Sequence, residues 1–96
     1  MAVKKRLTAS ALVKTGYSKL VGYLVGTDGT NDAIITIYDA TTAAAGTEAV
    51  PTQKFDASAL GLNGAWFGHE GAIECQVGIY VEITDIGTGE LLVYYN

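Results

Sequence analysis

Residues 78–84 alternate without exception: Ile79, Val81 and Ile83 fall on one side of an extended chain, and Tyr80, Glu82 and Thr84 on the other. A period of two marks a strand with one buried face, so Ile79, Val81 and Ile83 are assigned to the core. Asp-Ile-Gly-Thr-Gly at 85–89 reads as a turn, and residues 90–95 read as a closing strand, which together predict a terminal hairpin. Residues 33–39 keep the same period with apolar groups on both faces: Ile35 and Ile37 on one, Ile34, Thr36 and Tyr38 on the other. That pattern predicts a strand covered on both sides and adds Ile35 and Ile37 to the core.

The rest of the chain follows suit. Apolar runs at 7–14, 17–25, 65–67 and 72–77 are separated by glycine-bearing breaks. Residues 26–32, rich in Gly, Asp and Asn, form a turn, because these residues tolerate positive φ. Residues 40–46 read as a loop, 58–62 as a brief turn, and Asn63-Gly64 as a further turn. The run 48–55 holds the only proline, Pro51, which cannot donate to a ladder, so it is an edge strand or a connection. No stretch has the period of an amphipathic helix. The expected fold is all-β: a small antiparallel β-sandwich or jelly-roll-like barrel of seven to eight short strands. It forms one domain over residues 7–96, preceded by a basic arm at 1–6.

Charge sharpens that boundary. Five of the six basic residues, Lys4, Lys5, Arg6, Lys14 and Lys19, precede every acidic one in a chain of net charge −4. The body is therefore acidic and repels phosphate, which argues against a nucleic-acid partner. Lys4-Lys5-Arg6 reads either as a solvated start or as a tether that docks on an acidic surface. Apolar residues make up 49% of the chain and charged ones 17%, which excludes a disordered chain. The mean hydropathy is positive, which predicts apolar surface beyond what one small core hides. No apolar run approaches the ~18 residues needed to cross a bilayer, and Lys14 and Lys19 interrupt any signal-peptide core.

Candidate chemistry is sparse. His69 and Cys75 are the only residues of their types. They cannot supply a four-ligand zinc site, and nothing near them forms an oxyanion site or lowers a thiol pKa. Asp28, Thr30, Asp32 and Asp39 match calcium-loop spacing, but Ala33 stands where that loop needs glycine, and residues 34–37 read as strand. Gly87-Thr88-Gly89 precedes a strand, so it is no phosphate loop. No catalytic residue, cofactor or metal is expected. Aromatic pairs remain. Trp66 and Phe67 are adjacent, as are Tyr94 and Tyr95, so each pair splits between two faces. One member of each fills the core and the other is available at an interface.

Two stretches, KLVGYLVGTDGTNDAIITIYDATTAAAGTE at 19–48 and GIYVEITDIGTGELLVYYN at 78–96, resemble small β-sandwich virion proteins of tailed bacteriophages, of the head-decoration, cement or head-fibre type. The shared pattern is structural: an apolar strand with a glycine, a turn, the Ile-Thr-Ile-Tyr-Asp strand, a Thr/Ala/Gly loop and the closing hairpin. It covers about half the chain and leaves 51–77 without a counterpart. The resemblance implies a non-catalytic protein on the capsid surface of a virion, made in a bacterial cytoplasm. Its partners would be the major capsid protein and its own copies, most commonly as a trimer. Two other functions share this composition: a carbohydrate-binding or fibre-tip module using Trp66, Phe67 or the tyrosines, and a tail or neck component.

Overall fold

A computed structural model of the chain describes residues 3–58 and 62–96. Two antiparallel sheets enclose the core, with no helix among the described residues. Sheet A contains β1 (Val3–Leu7), β9 (Glu90–Tyr95), β3 (Ser18–Gly26) and β6 (Leu62–Trp66) in that order, and β7 (Ile73–Cys75) also pairs with β3. Sheet B contains β2 (Ala11–Thr15), β8 (Gly78–Asp85), β4 (Ala33–Tyr38) and β5 (Glu48–Phe55).

The alternation reads through into packing. Ile79 and Val81 from β8, Ile35 and Ile37 from β4, Leu20 and Val25 from β3, and Leu91 and Val93 from β9 are fully buried between the sheets. Ile83 is half-buried and packs against this cluster. Each such side chain, taken fully out of water, contributes about 1.5–3 kcal/mol.

β4 is also closed on its outer side. Thr36 and Tyr38 are buried there. The hydroxyls of Thr36 and Thr52 share a hydrogen bond at 2.7 Å, and Tyr38 Oη donates to Glu82 at 3.0 Å. A hydroxyl buried without such a partner costs about 1–3 kcal/mol.

Several expectations are corrected. The run 7–14 is two strands, not one. Leu7 points into the core from sheet A and Ala11 packs on it from sheet B, so the chain must bend between them. Ser10 fixes the bend, its Oγ accepting the Ile83 N–H at 2.8 Å. Residues 3–6, expected as an arm ahead of the domain, lie in β1 along β9. They join because β9 would otherwise present a bare edge. The described residues thus hold nine strands rather than seven or eight.

Nor do β8 and β9 form a hairpin. β8 pairs with β2 and β4, and β9 with β1 and β3. The turn between them crosses the sandwich because Ile86 is buried at its end, where a flat hairpin turn would leave it in water. Among the described residues the hairpin between consecutive strands is β4–β5.

Asn63-Gly64, read as a turn, sits inside β6. Gly64 adopts φ +145°, and a Cβ there would strike the Tyr23 carbonyl, so this glycine serves close strand approach rather than reversal. The turn expected at 58–62 falls largely outside the described residues.

Candidate functional site

The outer face of sheet A carries the most exposed large aromatic side chain described: Trp66, at 58%. Its position follows from register. Lys4, Tyr94, Gly22 and Trp66 stand in one row across β1, β9, β3 and β6. Arg6, Leu92, Leu24 and Gly64 form the next row. Directly opposed residues share a face, so both rows point away from the core.

Gly22 makes the first row possible. A Cβ there would lie 2.7 Å from Trp66 Cε3 and 2.8 Å from the Ala65 carbonyl oxygen. The indole therefore rests over the bare α-carbon of β3 and meets Tyr94 edge-on, with centroids 5.2 Å apart and planes at 74°. That geometry is a favourable aromatic arrangement. Leu24, Leu92 and Tyr94 are half-buried beside it. The result is an apolar strip with a glycine floor, bordered on β1 by Lys4 and by Arg6, which is ion-paired to Glu90.

The aromatic pairs do split. Trp66 is outward, while Phe67 packs on the core beside Tyr23 at a centroid distance of 6.5 Å. Tyr94 joins Trp66, while Tyr95 packs on the core. Phe67 and Tyr95 are thus not brought to the outer strip. Of the basic residues, Lys4 and Arg6 border the strip, and Lys5 lies on the opposite side of β1, facing the row of Val93.

A second concavity, a cleft of about 540 Å³, opens between the β4–β5 loop and β7. Asp39, Glu48 and Glu74 line it with Thr47, Ile73 and Val77. All three carboxylates are engaged. Asp39 accepts N–H groups of Gln76, Val77 and Gly78 at 2.8–3.3 Å. Glu48 accepts the Gly46 N–H, and Glu74 accepts the Tyr17 hydroxyl at 2.6 Å. Carboxylates so committed hold loops in place.

Comparison with known proteins finds no matching family model, curated protein or solved structure.

The remaining chemical candidates are dispersed. Cys75 is buried; burial first, and the nearby Asp39 charge second, push its thiol up to about 11. That makes it a packing residue rather than a nucleophile. His69 is exposed, with Nδ1 3.0 Å from Asn96 Nδ2. The acids with calcium-loop spacing diverge. Asp28 binds its own turn, and Asp32 accepts the Ala57 N–H at 2.8 Å. Asp39 lies beyond the far end of β4, roughly 20 Å from Asp32 at the rise of a strand. No group of three or more His, Cys, Asp or Glu among the described residues is placed to hold a metal.

Leu24, Leu92, Gly22 and Gly64 belong to the strip and escape a reading of the sequence. The signal for them is glycine in mid-strand, which marks close approach of another chain segment. It says where something lies over the backbone, not what.

Proposed function

We propose that this chain is a non-catalytic structural protein of a phage virion. It decorates the capsid by docking the outer face of sheet A on the major capsid protein, and it assembles with its own copies, as a trimer on the resemblance of 19–48 and 78–96. The observation that carries the docking surface is Trp66: an exposed indole seated over Gly22 and braced by Tyr94. Tryptophan anchors dominate protein interfaces, and an anchor already fixed in place loses little freedom on binding. The basic border at Lys4 and Arg6 complements an acidic partner surface. Committed carboxylates in the cleft agree with a binding role. A partner that binds only the assembled shell stabilises that shell by mass action.

The test is to mix purified protein with expanded capsids of the phage that encodes it. The expected result is saturable binding and a higher capsid melting temperature. Trp66→Ala should weaken binding about thirtyfold, the consequence of losing a ~2 kcal/mol anchor. Absence of binding removes the capsid reading, and undiminished binding by Trp66→Ala removes the assigned surface.

A further inference from the structure

Four strand positions form the edges of the two sheets, and they are guarded differently. β2 has a register break between Leu12 and Lys14. β5 holds Pro51 and two register breaks against β4. On the far edge of sheet A the pairing is interrupted between β6 and β7, and Gly64 within β6 adopts φ +145°. β1 has none of these devices. Its five residues pair with β9 in continuous register, from Val3↔Tyr95 to Leu7↔Leu91. Every second residue of such a strand turns its N–H and C=O away from the partner, toward the free side.

The guard on β1 is charge alone: Lys4, Lys5 and Arg6 are all exposed. Bulges and prolines block any incoming strand. Charge is selective, because it repels a second β1 and attracts an acidic strand. Arg6 is already paired with Glu90. Among the described residues Lys4 and Lys5 have no acidic partner, in a chain with 10 acidic and 6 basic groups. Val3, next along the strand, is an exposed apolar residue.

We propose that the free edge of β1 takes up an extended acidic segment of a partner protein as an added strand of sheet A. Ladder hydrogen bonds supply the affinity, and carboxylates opposite Lys4 and Lys5 select the sequence. The segment this edge fits has consecutive acidic residues with an apolar neighbour opposite Val3. This goes beyond capsid docking: it shares Lys4 with the border of the docking strip but uses the backbone edge of β1 rather than Trp66, so the peptide titration and the Trp66→Ala capsid test can fail separately.

The experiment is an NMR titration of the full chain at low ionic strength with a short synthetic peptide of three consecutive glutamates flanked by valines. A matching lysine peptide is the control. The expected result is saturable shifts and slowed amide exchange along β1, weakened by salt and absent with the control. A Lys4→Glu/Lys5→Glu variant should bind about tenfold more weakly, since two exposed ion pairs are lost. Should that variant lose its β1 signals, Lys4→Gln/Lys5→Gln provides the same comparison without the reversed charge. No response at β1 with millimolar peptide overturns the proposal. So does binding that is insensitive to Lys4 and Lys5, or shifts without amide protection, which would mean loose charge pairing and no added strand.

Discussion

The carboxylate of Asp28 accepts the backbone N–H of Thr88 at 2.8 Å, which ties the turn after β3 to the turn after β8. The same carboxylate takes the N–H groups of Thr30 and Asn31 and the side-chain amide of Asn31. Both turns carry the chain from one sheet to the other, so one side chain clamps two crossings at the same end of the sandwich. Gly87 is part of the clamp, because a Cβ there would strike the Asp28 carboxylate and the Asn31 amide.

This clamp makes stability depend on pH. The backbone N–H of Asn31 foremost, then the Asn31 side chain and the N–H groups of Thr88 and Thr30, hold Asp28 well below the usual carboxylate range. At Asp39 burial pushes upward, but the N–H groups of Val77, Gln76 and Gly78 outweigh it and hold that carboxyl low as well. Both folded pKa values lie below the unfolded value of about 4, so their stabilisation is complete above that pH. It is lost as pH falls from about 4 through the folded values. Thermal melts followed by circular dichroism should give a flat Tm near neutrality and a steady decline below about pH 4. Asp28→Asn should melt lower at neutral pH, with the gap to wild type closing as the pH drops. A gap that stays constant into strong acid would show that the charge is not what the clamp uses.

Much of this fold is legible in the sequence, and the parts that are not share a cause. Ile35, Ile37, Ile79 and Val81 are placed correctly because period two is a local property. The partner of each strand is not local. Residues 78–95 look like a hairpin by every short-range rule, yet β8 and β9 lie in different sheets, and what decides it is the burial of Ile86 and the grip of Asp28, sixty positions before Thr88. The same holds at the outer strip. Trp66 and Tyr94 are visible as aromatic residues, but their contact depends on β3 lying between them with glycine at position 22.

Gly22→Ala should cost about 1–3 kcal/mol, the usual range for forcing a methyl into an occupied space. The methyl meets the Trp66 ring and the Ala65 carbonyl oxygen together. The near-ultraviolet circular dichroism of the single tryptophan should change with it. In the Trp66→Ala background the same substitution should cost less, though not nothing, because the carbonyl remains. Equal costs in both backgrounds, by urea unfolding, would place the indole away from Gly22.

Val81→Asp should leave no folded protein. Val81 is fully buried, opposite Ile37 on one side and Ala11 on the other. An unpaired carboxylate there costs several kcal/mol, a large part of the 5–15 kcal/mol that a domain of this kind has in reserve. Val81→Ala supplies the graded comparison, at about 2 kcal/mol from lost apolar burial and the cavity left behind. A soluble, cooperatively melting Val81→Asp protein would contradict the face assignment of β8.

The placement of residues 3–7 in β1 changes what truncation should do. Residues 3–6 are exposed, so removing 1–6 deletes ladder hydrogen bonds worth about 1 kcal/mol each. It also removes the cost of ordering those residues, about 1–2 kcal/mol apiece. The two nearly cancel, and stability should move by no more than ~1 kcal/mol. Leu7 is different, because its side chain is buried and packs in the core. Removing 1–7 should cost a further ~2 kcal/mol and open the whole of β9 as a bare edge, with aggregation as the companion sign. Urea unfolding of the two truncations separates these contributions. A large loss already at the shorter truncation would mean that the β1 ladder itself, and not the Leu7 side chain, holds this edge of sheet A.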